Sequence, residues 1–368
     1  MELIKLAIIG GGRVALHHCE MLREVAEIKL IAACELRKDR GQILSERYNV
    51  PLYENYYTML SENPDIDVVT IATPSGMHFE HSIDVIKNYK KHIVIEKPTF
   101  MRPDQLIEAY KLAESNGCKI FPVFQNRYNK AVNFVKSSIE NKELGEVRMA
   151  SARVRWCRPQ RYYDRDAWRG TWSHDGGALT NQGVHYLDIL RYLGGEITKV
   201  NALSVTQSVN VEVDDTVAAV FEFVKGGLGV IEITTSAYPE DFEASVSIVG
   251  SKGLAVVSGE ATNKLVTFSP DPEKCEAYSE EFKIVYGTGH QEMYRDISRV
   301  LREGGEQPVS ARDALKTLVL LHSIYLSAER QDWVQLSDGN QSNLLGRTDE
   351  QISKLYRTSK KIETKNKI

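Results

Sequence analysis

A chain of 368 residues with 42% hydrophobic and 26% charged side chains is globular and too long for one ordinary domain. A formal net charge of -4 excludes a protein that works by coating nucleic acid or an anionic membrane, since neither a basic excess nor a basic stripe is present. Five cysteines, Cys19, Cys34, Cys118, Cys157 and Cys275, form no paired spacing and have no histidine at ligand spacing, so neither a disulfide framework nor a metal site is expected.

The apolar run at residues 6–9 is too short for a signal-peptide core or a membrane span, and a cytoplasmic location is expected. Over residues 1–124, short β-branched runs at 5–9, 29–34, 68–72, 92–95 and 120–123 alternate with helical patterns at 14–25, 40–48, 78–88 and 103–116. That rhythm predicts an α/β domain with a doubly wound parallel sheet, its strands apolar throughout because both faces are covered. The pattern then changes. A helix at 129–141, a strand at 146–155, a polar and aromatic loop and a helix at 183–193 lead into runs at 199–208, 216–224, 228–236, 244–250, 254–258 and 265–268. Turn signals between those runs predict a second α+β domain, 125–350, built on a large open and mostly antiparallel sheet whose outer face meets another subunit. Helices at 290–302 and 311–329 close it, and the Lys-rich residues 351–368 read as a flexible tail.

Chemistry-bearing residues gather at predicted strand ends. Gly10, Gly11, Gly12, Arg13, Val14 and Ala15 spell G-x-G-x-x-A between the first strand and the first helix, where glycines let a pyrophosphate approach backbone N–H groups at a helix N-terminus. Glu35 follows about 20 residues later at the end of the second strand, the place of a ribose acceptor, and its charge favours NAD over NADP; Arg37 opposes that preference. Thr73, Pro74 and His78 follow another strand at the same edge, as do Glu96, Lys97 and Pro98, with Lys97 aimed into the cleft by the turn. On a helix Asn181, His185 and Asp188 would share one face, the pattern of an oriented acid–base site, although Asp188 could equally pair with Arg191. Arg158, Arg161, Arg165 and Arg169 stand among Tyr162, Tyr163 and Trp168, a mixture suited to a diphosphate and a planar ring or, equally, to a subunit contact.

These stretches, together with Gln125-Asn126-Arg127 and Gly183-x-His185-x-x-Asp188, resemble the glucose–fructose oxidoreductase and inositol dehydrogenase family along nearly the whole chain. The resemblance implies NAD as cofactor, Lys97 and His185 serving the hydroxyl under oxidation, Gln125, Trp168 and Arg169 near the cofactor, and Arg127, Asn181 and His290 beside the substrate. Many members carry Asp four residues before the histidine; Asn181 stands there in this chain. Arg155-Trp156-Cys157-Arg158, Tyr162-Tyr163, residues 166–171 and Thr180-Asn181-Gln182-Gly183 are most similar to the UDP-N-acetylglucosaminuronate 3-dehydrogenases. That likeness implies a UDP-sugar substrate, 2-oxoglutarate as the partner that reoxidises NADH, a homotetramer, and a place in bacterial surface polysaccharide synthesis. A dehydrogenase of a free polyol and a non-catalytic dinucleotide sensor are the competing readings; the arginine-rich loop speaks against the first and the pair Lys97 and His185 against the second.

Overall fold

The computed structural model describes residues 3–259, 261–282 and 286–358. Parallel strands β1 (Ile4–Ile9), β2 (Ile28–Cys34), β3 (Leu52–Tyr53), β4 (Val68–Ile71), β5 (His92–Ile95) and β6 (Ile120–Pro122) form the first sheet in the order β3-β2-β1-β4-β5-β6. Helices α1 (Arg13–Leu22), α2 (Lys38–Tyr48), α3 (Tyr56–Glu62), α4 (His78–Tyr89) and α5 (Pro103–Ser115) connect them. The strand order reverses between β1 and β4, which opens a crevice at the carboxyl edge. The two-residue β3 and the helix α3 escape periodicity, yet α3 is locally encoded: Asn55 caps it, its side chain accepting the N–H groups of Tyr57 and Thr58.

The second sheet has the order β13-β12-β11-β7-β10-β9-β8-β14, from β7 (Val147–Arg155), β8 (Ile197–Val205), β9 (Thr216–Phe223), β10 (Leu228–Thr234), β11 (Glu243–Gly250), β12 (Leu254–Ser258), β13 (Lys264–Phe268) and β14 (Val334–Gln335). Every pairing is antiparallel except β7 with β10. Alternation sorts its faces. Ala150, Ala152, Val154, Ile231, Ile233, Val246 and Ile248 are buried on the face where α8 (Val184–Gly194) covers β7 and β11, α6 (Lys130–Glu140) covers β12 and β13, and α11 (Ala311–Arg330) covers β8. On the other face Met149, Leu228 and Val249 are register partners and remain exposed, with Leu203, Val220 and Val266 around them. No helix among the described residues is long and apolar enough to cross a membrane.

Two expectations about chain organisation change. Helix α10 (Gly289–Glu303) returns to the first domain, where Met293, Tyr294, Ile297 and Val300 pack with Ile4, Leu6, Leu22 and Val25, so residues 125–350 are not one spatial unit. The tail is ordered as far as Thr358: Asp349 caps α12 (Glu350–Lys354), and Arg357 donates to Glu80 of α4 at 2.7 Å. Lysine-rich composition had hidden the cap. Residues 359–368 lie outside the described residues.

A buried ionic bolt holds the two sheets together. Arg127, in the turn after β6, donates to both carboxylate oxygens of Asp188 on α8 (2.7 and 2.6 Å) and to Asp313 on α11. Thr317 donates to Asp188 at 2.8 Å, and the guanidinium lies over the rings of Phe124 and Tyr192. Burial works against the guanidinium's charge, and the two aspartates outweigh it. Arg127 is therefore not free to hold substrate, and Asp188 spends its oxygens on Arg127 and Thr317 instead of orienting His185. Its pairing with Arg191 does not occur either; Arg191 goes to Asp313 and Glu196. Removing one member of such a pair strands a buried charge, so Asp188→Ala should lose about 3 to 5 kcal/mol of stability in denaturant unfolding. Lost turnover at unchanged stability would return Asp188 to the chemistry.

Candidate active site

The crevice at the carboxyl edge is a cavity of about 690 Å³. Its floor is the turn from β1 to α1. Gly10 has φ 109°, and a Cβ there would strike the carbonyl of Ala72 on β4's exit. Gly12 caps α1 without any side-chain acceptor, and no atom lies within 4 Å of where its Cβ would be. The uncapped first turn, Arg13 and Val14 included, thus faces open space, a cradle for an anion at a positive helix end. Beside it the Glu35 carboxylate accepts the N–H of Gly11 (2.5 Å) and of Arg37 (2.8 Å), which fixes it at the end of β2. The Arg37 guanidinium turns to Asp39 (3.1 Å) and Asp166 (3.5 Å). Thr73 and Pro74 line the next wall, where buried His78 bridges two loops, Nδ1 facing the carbonyl of Pro98 (2.9 Å) and Nε2 that of Thr73 (3.1 Å). A dinucleotide fits these residues: glycine floor, helix end and ribose acceptor stand in the order its pyrophosphate and ribose require.

The far end of the cavity is polar. Lys97 follows β5 and donates to the backbone carbonyl of Asn181 at 2.5 Å, across 84 positions of chain. Asn181 lies in a π-helical turn, Leu179–Gly183, so the regular helical face expected for Asn181, His185 and Asp188 is broken between the first two. That turn follows Gly176 and Gly177, both at positive φ; a Cβ on Gly177 would drive into Asp214. Burial lowers the Lys97 amine's affinity for its proton, Glu96 and Asp175 oppose that, and Arg169 reinforces it. Half-buried His185, on the first turn of α8, is pushed down to about 3 by burial and then by the charge of Lys97, so it is neutral at ordinary pH.

Glu96 also lines the cavity, and its carboxylate is fixed from behind. One oxygen accepts from His18 (2.8 Å) and the other from the N–H of Lys97 (3.0 Å), while His290 stands 3.6 Å away. His18 Nδ1 meets the hydroxyl of Tyr294 (2.8 Å), which meets Thr70 (3.0 Å). Burial alone would raise Glu96, but its two histidine neighbours hold it well below the usual carboxylate range. His18, Glu96 and His290 thus bring two rings and a carboxylate within 4.8 Å of one another, and His18 and Glu96 spend those atoms on each other. Their positions in α1, after β5 and in α10 explain why sequence spacing gave no sign of this cluster.

The rim comes from distant segments. Arg169 donates to the Tyr162 hydroxyl (2.6 Å) and lies over the rings of Tyr162 and Trp168. Asp166 ties this loop to Arg40 of α2 (2.8 Å). Leu355, Tyr356 and Thr358 complete the wall, a contribution that reading the tail as loose had missed. Several expected ligands lie elsewhere. Buried Gln125 does not line the cavity, and neither does half-buried His185. His290 is buried against His17 and Glu96; Tyr163 is buried with its hydroxyl on Thr235; Arg158 pairs with Asp241; Arg161 is exposed outside the cavity. Residue type had marked Arg158, Arg161 and Tyr163 as ligands and the resemblance had marked His290, but each faces a neighbouring segment of the chain or solvent.

Residues 4–124 match the oxidoreductase family with an NAD-binding Rossmann fold, and residues 132–256 match the GFO/IDH/MocA C-terminal domain. Over 91% of its length the chain is 32% identical to the WlbA dehydrogenase of Bordetella pertussis, solved with NADH and UDP-GlcNAcA; it covers 98% of that protein with a TM-score of 0.86. The chain belongs to the GFO/IDH/MocA oxidoreductase family. It is also 32% identical to the WlbA dehydrogenase of Chromobacterium violaceum, in complex with the same two molecules, over 92% of this chain and 97% of that one at a TM-score of 0.83. The myo-inositol 2-dehydrogenase of Thermotoga maritima is 25% identical over 91% of this chain and 99% of that protein. The chain is an NAD-dependent oxidoreductase acting on a CH–OH group. Glu35→Ser should weaken NAD about tenfold in a fluorescence titration and bring NADP into the measurable range. Unchanged NAD binding with no gain in NADP would take the ribose away from Glu35.

Proposed function

We propose that this family member oxidises the C3 hydroxyl of a UDP-linked N-acetylamino sugar, UDP-N-acetylglucosaminuronate foremost, to the 3-keto sugar for surface polysaccharide synthesis. The observation that carries the reading is the shape of the cavity. A cofactor floor and a half-buried amine share it with Tyr162, Arg165, Trp168 and Arg169, which suit a charged, ring-bearing substrate. Both WlbA dehydrogenases were solved with UDP-GlcNAcA, which supports the same class of substrate.

Bound NAD would rest on Gly10, Gly12, Glu35 and the wall from Thr73 to His78, and would supply the hydride acceptor. The protein moves the proton. Neutral His185, which does not itself line the cavity but lies near enough to Lys97 to feel its charge, is the proton acceptor in this reading, and Lys97 donates a hydrogen bond to the oxygen as negative charge grows on it, in a site where little water screens the interaction. Asn181 orients the sugar hydroxyl. The exposed apolar strip of the second sheet would be covered by neighbouring copies in a homotetramer, with 2-oxoglutarate reoxidising NADH in the cytoplasm.

A free polyol is the second reading. It gains from the turning away of Arg158 and Arg161, since fewer arginines then face the substrate, and from the likeness to myo-inositol 2-dehydrogenase. NADH absorbance with UDP-N-acetylglucosaminuronate, UDP-N-acetylglucosamine and myo-inositol, with and without 2-oxoglutarate, separates the two. Turnover of the UDP-uronate is expected, and turnover of myo-inositol alone would sink the nucleotide-sugar reading. His185→Asn and Lys97→Ala should each cut kcat at least about a hundredfold while NAD still binds.

The pH profile gives a separate check. A base lowered to about 3 is already deprotonated at neutrality, so kcat/KM should show no acid limb between about pH 5.5 and about pH 7.5. A break near the ordinary histidine value would mean that His185 is not the base in this environment.

A further inference from the structure

Asp175 is a carboxylate that the chemistry above leaves unused. It is only 1% exposed, on the loop ahead of the Gly176–Gly177 turn. One oxygen accepts from the side-chain amide of Asn181, and the other accepts the N–H of Gly170 at 2.7 Å. The backbone carbonyl of that same Asn181 receives the ammonium of Lys97 at 2.5 Å. One asparagine thus touches a buried acid with its side chain and a half-buried amine with its main chain.

Such an acid is tolerated out of water only beside positive charge or as the neutral form. The cations that face it are Arg169 and Lys97; the other ionisable groups around it are Asp214, Tyr162 and Tyr163. Lys97 in turn faces Glu96, Asp175, Arg169, His185 and His78. Glu96 already serves two histidines and a backbone N–H. Asp175 is the second carboxylate near the ammonium.

We propose that Asp175 is a positioning residue: it fixes the Asn181 amide and supplies the buried countercharge that keeps Lys97 protonated for the hydroxyl under oxidation. This rests on Lys97 serving that hydroxyl. Burial drives Asp175 toward its neutral form, and Asn181, the Gly170 N–H, Arg169 and Lys97 oppose this. Removing its negative charge makes the protonated amine less favourable, so Lys97 should lose its proton at lower pH.

The test is an exchange of the two side chains, using Asp175→Asn, Asn181→Asp and the double variant. The rate at which a small acylating reagent modifies Lys97, followed against pH by mass spectrometry on the NAD-free protein, reads the amine without any turnover. Asp175→Asn should move that titration down by about one unit or more, and the alkaline limb of kcat should move with it. Asn181→Asp sets two carboxylates in contact, which forces a proton onto one of them and impairs turnover. The double variant restores one carboxylate and one amide with roles exchanged, and should return the titration to within about half a unit of the parent and recover turnover about tenfold over Asp175→Asn.

An unshifted titration in Asp175→Asn overturns the proposal, as does a double variant no better than that single change. If the titration moves and is rescued while turnover stays at the parent value throughout, the charge pairing stands and the assignment of Lys97 to the hydroxyl falls. Circular dichroism and NAD titration on each variant separate these outcomes from misfolding.

Discussion

An ammonium group partly withdrawn from water is the constraint on which the site is built. Lys97 sits where the carboxyl edge of the first sheet meets the second unit, and burial favours its neutral form. The protein answers with oriented negative ends. The Asn181 carbonyl touches the ammonium, and Glu96 and Asp175 add charge. Each of these is itself immobilised: Glu96 by His18 and the Lys97 N–H, Asn181 by a π turn, and Asp175 by Asn181 and Gly170. Oriented groups that need not move as charge develops are the general source of electrostatic stabilisation in such sites.

That arrangement depends on the two sheets keeping their distance. Lys97 belongs to the first and Asn181 to the second, so a small slip at the seam would open the 2.5 Å contact between them. The bolt of Arg127, Asp188, Asp313 and Thr317 joins the turn after β6 to α8, the helix that continues directly from the π turn bearing Asn181. Helix α10 adds a second attachment by crossing back onto the first sheet, and it brings His290 and Tyr294 to the group behind Glu96. The charged residues at the seam thus act as support for the reactive ones.

The parts of this molecule that were legible in the sequence are those specified by neighbours along the chain. Apolar runs gave the parallel strands, turn signals between later runs gave the second sheet, and the glycine turn with Glu35 placed a dinucleotide floor. The parts that were misread are specified by contacts between distant segments. A polar residue on a helix pattern says only that something polar lies opposite it. Asp188 meets Arg127 there, and no periodicity distinguishes that from a catalytic partner. Asp175 carries no motif of its own, although the Gly176-Gly177 pair beside it signals a sharp turn that could have drawn attention to it. The π turn at Asn181 is likewise invisible to a 3.6-residue pattern, because its extra residue is imposed by the packing around it.

Floor and rim of the cavity differ in the physics that holds them. The floor is a glycine turn against β4 together with a fixed carboxylate and a histidine bridging two loops, each held by hydrogen bonds to backbone or by close packing. The rim is closed by ion pairs such as Arg40 with Asp166 and Arg357 with Glu80, whose side chains keep about a third of their surface in three of the four cases. Pairs of that exposure are worth about 0 to 1 kcal/mol each and weaken with salt. A ligand can therefore be gripped by a rigid base under a wall that yields at little cost, which reconciles an enclosing rim with the need to admit a large cofactor. The chain places its buried polar networks where geometry has to be exact to a fraction of an ångström, and leaves to solvent-screened contacts the segments that have to part.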